Sequence, residues 1–200
     1  PLMNDSDIVL DDGKATKIRR GNVRARLRMI TLFNLAAKNR GLVGSTDNLS
    51  ERQAGFWTLA GDIGNCAPIQ SLTKSWEVPA LAVLNGVPTS TVRATPTDGL
   101  GIDAGDEAQL GCSYLEWDLI ARAVGEAAQA GMTPDALAQA LGISEPSDRA
   151  KFDAVLSRMK ATWFKRMDPV NLPHPLDDRY GLVERTDHRL FVPRSFARNI

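Results

Sequence analysis

Between Val23 and Lys38 the apolar residues Val23, Leu27 and Ile30, with Met29, Phe33 and Ala36 beside them, recur at helical spacing, and Gly41 offers a stop. The preceding residues 1–20 are polar and charged apart from the run Ile8, Val9, Leu10, and read as a loop with at most one strand. Leu42 and Val43 have the length of a short buried strand, Ser45 to Asp47 turn the chain, and a second helix is expected from Leu49 to about Leu59. A glycine-containing loop follows from Gly61 to Ser71. The next helix is entered near Leu72 and closed by Asn85, Gly86 and Pro88, with Pro79 in its first turns, where proline does least damage. Pro, Gly, Asp and Thr dominate Thr89 to Gly111, a long loop read as a lid on the substrate side.

Three more helices are expected over Tyr114 to Ala130, Thr133 to Leu141 and Ser147 to Arg166. Thr133-Pro134-Asp135 and Ser144-Glu145-Pro146 are entry signals, and Gly131 and Gly142 are stops. Beyond Asp168 the tail holds Pro169, Pro173, Pro175 and Pro193 without periodicity, and is expected to wrap along a surface, a partner subunit's being one. The strand-turn-helix unit at Leu42 to Leu59 is the arrangement that places ligands at the carboxyl edge of a parallel sheet. That unit points to a strand of a parallel sheet with a helix packed beside it.

Composition narrows the classes of partner. Two hundred residues at 43% hydrophobic content can bury a single core. Lys plus Arg equals Asp plus Glu at 24 each, so no basic field argues for nucleic acid. Cys66 and Cys112 stand far apart without a Cys-x-x-Cys, which indicates neither zinc nor a disulfide framework and fits reduced thiols in a cytoplasm. Apolar runs are short and broken by charge, so no membrane partner is expected.

The chemistry concentrates between Gly44 and Lys74, with a second element, PTDGL, at Pro96 to Leu100. Turns expose backbone N–H groups, helix starts attract anions, Lys neutralises phosphate and Glu holds hard cations, a mixture suited to polyphosphate and magnesium. Glu51 has two readings. Asn48-Leu49-Ser50-Glu51 has the spacing of a capping box, and the same carboxylate suits Mg²⁺. Lys74 at a helix start conflicts with the macrodipole unless an anion is close, although a solvated lysine is the plain alternative. Asn22 and Arg26 share a helix face within a locally basic stretch that also reads as a solvated surface. His174, His188, the four tryptophans and the acidic residues Asp103, Asp106 and Glu107 read as surface, core and solvated loop respectively.

Taken in order, NVRARLRM (Asn22 to Met29), the Gly44 to Lys74 stretch, PTDGL and FKRMDP (Phe164 to Pro169) resemble the ammonia-dependent NAD synthetases, a family of ATP pyrophosphatases. The resemblance covers about Gly21 to Pro169. It implies an α/β fold, a Rossmann-like parallel sheet with flanking helices and a helical C-terminal part, in which residues 1–169 are the C-terminal portion of an ATP-pyrophosphatase domain and residues 170–200 a Pro-rich tail. It also implies a homodimer that uses ATP to adenylate the nicotinate carboxylate of deamido-NAD, after which ammonia displaces AMP to give NAD. By motif position it implies that Thr46, Lys74 and Thr97 contact ATP, that Glu51 binds Mg²⁺, and that Asn22, Arg26, Asn65 and Lys165 meet the dinucleotide. No catalytic acid or base is implied. Free ammonia or a separate amidotransferase supplies the nitrogen, because no glutaminase segment is visible.

The departures from the family pattern are specific. Leu59 stands where a dinucleotide-contacting Lys is usual, an Asp is replaced by Asn65 or lost to a one-residue deletion around Cys66, Ser45 replaces a Gly, and Phe164 replaces a His. The family's phosphate loop, Ser-Gly-Gly-x-Asp-Ser, is not found in these residues, so a front portion carrying it is expected to be missing and the chain alone is expected to adenylate poorly. Two further readings stay open: a related ligase acting on another carboxylate, and a synthetase-derived piece that binds nucleotide or a partner without turnover.

Overall fold

The computed structural model describes residues 13–167 of the chain. The expected strand at Ile8 to Leu10 and the Pro-rich tail, with His174 and His188, lie outside the described residues. The described residues fall into two compact units. One comprises those up to Arg52 together with Phe56–Tyr114; the other comprises Gln53–Gly55 with those from Leu115 onward.

The first unit opens with α1, Lys14–Lys38. It begins a full two turns before the expected start, because Lys14 to Arg20 are good helix formers whose polarity conceals the periodicity. Gly21 sits inside this helix. The Leu100 side chain lies over its Cα so closely that a Cβ there would collide with it. Buried Ala25 and Met29 mark the inward stripe, one turn apart. The helix closes through Arg40, in the left-handed region at φ 53°, and Gly41, whose N–H donates to Ala36 O at 2.8 Å.

The expected parallel sheet is corrected by the structure: among the described residues there is no strand, only an isolated parallel bridge between Gly44 and Cys66. Its bonds run from the Ser45 N–H to Cys66 O at 2.7 Å and from the Asn65 N–H to Val43 O at 2.7 Å. Two features keep this pairing from extending. Leu42 is 72% exposed, so only Val43 of the apolar pair finds a buried place. The partnering segment, Gly61 to Cys66, holds Gly61, Asp62, Gly64 and Asn65, residue types that weaken strands. Gly64 is pressed against the Val43 carbonyl, leaving no room for a Cβ.

From there α2, Leu49–Ala54, ends at Gly55, which adopts φ 61°, several residues short of the expected boundary. α3, Glu77–Leu84, starts later than the sequence suggests. The Glu77 carboxylate accepts both the Thr73 N–H, at 2.6 Å, and the Thr73 hydroxyl, at 2.8 Å, which holds the entry as a turn. The long loop carries two short helices, α4 at Thr89–Val92 and α5 at Asp106–Leu110.

α6, Tyr114–Gln129, leads into the second unit, where α7, Pro134–Ala140, matches the expected helix closely and α8, Pro146–Ala161, starts as expected but stops short of Arg166. The Thr133 hydroxyl accepts the Ala136 N–H at 3.2 Å, the N-cap its sequence announced. Ala127, Leu137, Ala138 and Phe152 form the core here, with Ile120, Val124 and Leu156 packed against it. A cavity of about 330 Å³ lined by Val124, Leu137, Met132 and Met159 lies in this unit. A 3₁₀ helix, Trp163–Met167, follows. No helix of the described residues is long and apolar enough to cross a membrane.

Candidate functional site

Lys74 is the hub of the first unit's polar chemistry. Its Nζ donates to Glu51 Oε1 at 2.5 Å, lies 3.5 Å from Asp106 Oδ2 and stands 4.7 Å above the centre of the Tyr114 ring. The Lys74 side chain is 23% exposed, Glu51 16% and Asp106 4%, so the pair is only partly open to water and is screened far less than a surface ion pair. The lysine is aimed by its backbone, since the Lys74 N–H donates to the buried Ser50 Oγ at 2.8 Å.

Glu51 performs the role that its local sequence announces and has an oxygen left for a second one. Its N–H donates to Asn48 Oδ1 at 3.0 Å while its own Oε2 accepts the Asn48 N–H at 3.2 Å. This is a complete capping box at the start of α2. The other oxygen, Oε1, faces Lys74. Capping and the ion pair with Lys74 are therefore divided between two atoms of one carboxylate.

Two carboxylates that the sequence did not single out complete the cluster. Asp47 keeps a buried oxygen, Oδ2, without a hydrogen-bond donor. Burial, and then the nearby carboxylates of Glu51 and Asp62, push its carboxyl up from 3.8 to about 6, against the opposing pull of its own backbone N–H and of Lys74. Asp106, read from sequence as a solvated loop residue, is 3% exposed; its Oδ2 accepts the Tyr114 hydroxyl at 3.1 Å and its Oδ1 is buried without a donor. Lys74 and Asp106 lie far apart along the chain, so no local spacing announces their meeting. The burial of Tyr114 beside an acidic run is the one signal that could have raised it.

The residues expected to meet ATP are not all gathered in this way. Thr46 is exposed. The Thr97 hydroxyl accepts the Gly99 N–H at 3.1 Å and Asp98 Oδ1 accepts the Leu100 N–H at 2.9 Å, which is the ordinary Thr-Asp turn. Around the expected dinucleotide residues, α1 meets the Thr58 to Gly61 loop: Asn22 Oδ1 accepts the Thr58 hydroxyl at 2.7 Å, and Arg26 Nε donates to Leu59 O at 3.1 Å. Asp62 supports the loop by accepting the Thr58 N–H at 2.6 Å. Asn65 Oδ1 accepts the Val43 N–H at 3.0 Å, a backbone-supporting role beside the bridge. Ala60 is held at φ 57°, a strained conformation for a residue with a Cβ.

Lys165 belongs to the second unit. There its Nζ donates to Gly55 O at 2.7 Å, Arg158 Nε to Ala54 O at 3.0 Å, and Arg166 to Gln53 O at 2.9 Å. Three cations thus satisfy the last carbonyls of α2, where the helix macrodipole is negative. Among the described residues no group of three or more His, Cys, Asp or Glu side chains is arranged to hold a metal ion.

The chain as a whole is similar to known proteins. The family model described as NAD synthase matches residues 3–169. The NH(3)-dependent NAD(+) synthetase of Mesoplasma florum is 43% identical over 103 residues, 51% of this chain and 42% of that protein. The synthetase of the same name from Chlorobaculum tepidum is 34% identical over 157 residues, 78% of this chain and 53% of its own length. Among solved structures, the NH3-dependent NAD synthetase from Campylobacter jejuni in complex with the nitrate ion superposes with a TM-score of 0.54 at 26% identity, covering 85% of this chain and 60% of that one. The NMN synthetase from Francisella tularensis gives 0.53 at 25%, covering 73% and 54%. The chain therefore spans about two fifths to a little over half the length of the curated relatives it matches.

Proposed function

The chain belongs to the NAD synthase family, and from that premise we propose that it forms part of a ligase that amidates deamido-NAD to NAD with ammonia, consuming ATP and releasing AMP and pyrophosphate. In this reading the nicotinate carboxylate attacks the α-phosphorus of ATP and pyrophosphate leaves. Ammonia then attacks the acyl carbon, AMP departs with the bonding electrons, and the nitrogen gives up a proton.

The observation that carries the reading is the Lys74–Glu51 pair, a cation and a carboxylate at 2.5 Å, flanked by buried Asp106. Lys74 would bind the phosphates of ATP, and Glu51 would hold Mg²⁺ through Oε1. A single protein carboxylate fits that ion, because Mg²⁺ is commonly held by one or two carboxylates together with substrate phosphates. When bound, the metal neutralises phosphate charge. Thr46, exposed on the turn before α2, and Thr97 would add hydrogen bonds to ATP. Asn22 and Arg26, both braced against the Thr58–Leu59 loop, would face the dinucleotide, with Asn65 and Lys165 as further contacts. We read the assembly as a homodimer, a reading supported by the apolar side chains that α1 leaves in solvent, Ile30 at 67% and Leu27 at 53% exposed. A cytoplasmic location is in keeping with Cys66 and Cys112, neither of which is in a disulfide among the described residues.

A second reading has specific support. Leu59 and Asn65 depart from the family pattern on the dinucleotide side, and one similar solved protein is an NMN synthetase. In that case the amidated carboxylate belongs to nicotinate mononucleotide. Product analysis with each carboxylate in turn, with ATP and ammonia, separates the two. Formation of AMP and pyrophosphate only with deamido-NAD supports the first, and only with the mononucleotide the second. ADP formation, or ATP consumption that ignores both carboxylates, defeats both.

A further inference from the structure

The ion pair that marks the site also poses a problem for it. Glu51 Oε1 is bonded to Lys74, and the functional reading requires that same oxygen for a cation and that same ammonium for phosphate. When the cation draws Glu51 away, Lys74 loses its nearest counter-charge, and a long, flexible side chain left without one swings toward bulk water at a cost in affinity for whatever it was to bind.

Asp106 is placed to prevent this. Its Oδ2 is 3.5 Å from Lys74 Nζ, its side chain is only 4% exposed, and it is fixed by the Tyr114 hydroxyl at 3.1 Å. The Tyr114 backbone is itself anchored, its N–H donating to Glu107 Oε1 at 2.7 Å. The same Tyr114 presents its ring face to the ammonium at 4.7 Å, a second attraction that does not depend on Glu51. Asp106 Oδ1 is buried without a donor, so the carboxylate whose Oδ2 stands 3.5 Å from the ammonium has acceptor capacity in reserve.

We propose that Asp106, oriented by Tyr114, is the positioning residue of the site: it retains Lys74 beside the phosphates when Glu51 turns to the cation, so that the lysine exchanges between two carboxylates and is never without one. The proposal rests on the assignment of Glu51 to Mg²⁺ and Lys74 to phosphate.

Double-mutant cycles test it on the whole chain, with unfolding equilibria measured in urea without ligand and again with magnesium pyrophosphate raised until its effect levels off. The cycles are Lys74→Gln with Glu51→Gln, and Lys74→Gln with Asp106→Asn. Without ligand both pairs are expected to couple, each changing the unfolding equilibrium constant several-fold beyond the product of the single effects. With magnesium pyrophosphate the Lys74–Glu51 coupling falls at least threefold while the Lys74–Asp106 coupling holds or grows. An Asp106 that serves only the local fold has no reason to couple to Lys74 in a ligand-dependent way. The proposal is overturned if the Lys74–Glu51 coupling falls and the Lys74–Asp106 factor comes within twofold of unity. If the Lys74–Glu51 coupling ignores the ligand, the metal assignment of Glu51 has failed, and the exchange goes with it. Should Asp106→Asn fail to fold, Tyr114→Phe replaces it; this keeps the ring and the carboxylate and is expected to weaken the Lys74 coupling by at least twofold in the liganded state, no change counting against the proposal.

Discussion

Asp47→Asn turns the crowding of carboxylates at the start of α2 into a measurable pH dependence. In the folded chain the Asp47 carboxyl ionises at about 6, against 3.8 ordinarily. Between those values the folded state keeps a proton that the unfolded state has released, so Asp47 makes the protein less stable as pH rises through the window, with a constant penalty above it. The difference between 3.8 and about 6 corresponds to an upper bound of about 3 kcal/mol. The carboxyl retains contact with water, and solvent screening brings the expected penalty to about 1 to 2 kcal/mol. The asparagine cannot ionise. It should therefore be more stable than the parent by that amount at neutral pH, with the advantage shrinking as pH falls through 6 and gone below 3.8. Urea titrations of both proteins across this range give the difference directly. New hydrogen bonds from the amide to Glu51 or Asp62 shift the difference by a constant and leave its slope intact. A difference that does not change between pH 4 and 7 would falsify the account of Asp47 as a carboxyl raised by burial and by its acidic neighbours.

Glu51→Gln should cost about 1 kcal/mol in stability, because an amide oxygen can still accept the Asn48 N–H while the charge assistance to Lys74 is lost. Glu51→Ala, losing both, should cost about 2 to 3 kcal/mol; equal losses for the two variants, read by thermal melts, would rule out the division of roles between the two oxygens. Ala60→Gly should stabilise the chain by about 0.5 to 1 kcal/mol by relieving the left-handed conformation, and a loss of stability would show that the strain is absent. Gly64→Ala should destabilise by about 1 to 3 kcal/mol, since its Cβ meets the Val43 carbonyl, and a neutral outcome in denaturant titration would mean that the bridge region yields freely. The 200-residue chain alone should release little pyrophosphate from ATP, because a backbone phosphate loop is not among its residues; full turnover by this chain would remove that loop from the argument.

Much of the helical framework is legible in the sequence because its signals are local. Thr133 before Pro134 announces a helix start, and the Thr133 hydroxyl caps it; Asn48 and Glu51 announce a reciprocal cap, and both bonds form. The failures come where the deciding contact lies elsewhere in the chain. Gly21 looks like a beginning, yet it is interior to α1, where the closeness of Leu100 accounts for the missing side chain. Leu42 and Val43 look like a strand, but a strand is defined by what pairs with it, and the glycine-rich segment around Cys66 supplies a single bridge. The site divides in the same manner. Glu51 and Lys74 stand out from their neighbours' identities, whereas the parts played by Asp47 and Asp106 depend on burial and on distant charges. Asn65, Thr97 and Lys165, read as ligand contacts, are each engaged with backbone groups, a use to which any polar side chain can be put and which no motif distinguishes.

The end of α2 sets an asymmetric rule for sequence variation. Gly55 has φ 61°, and the side chain of Thr162 occupies the space where its Cβ would stand. Position 55 is therefore constrained twice, by backbone conformation and by a neighbour, whereas the Thr162 hydroxyl, which donates to Arg158 O at 2.8 Å and accepts from Arg166 Nη1 at 3.1 Å, asks only that a hydroxyl be kept at 162. In a library that varies both, serine at 162 should be tolerated while glycine is kept at 55. Shrinking residue 162 relieves only the steric half of the restriction on residue 55, so alanine there remains disfavoured in every background.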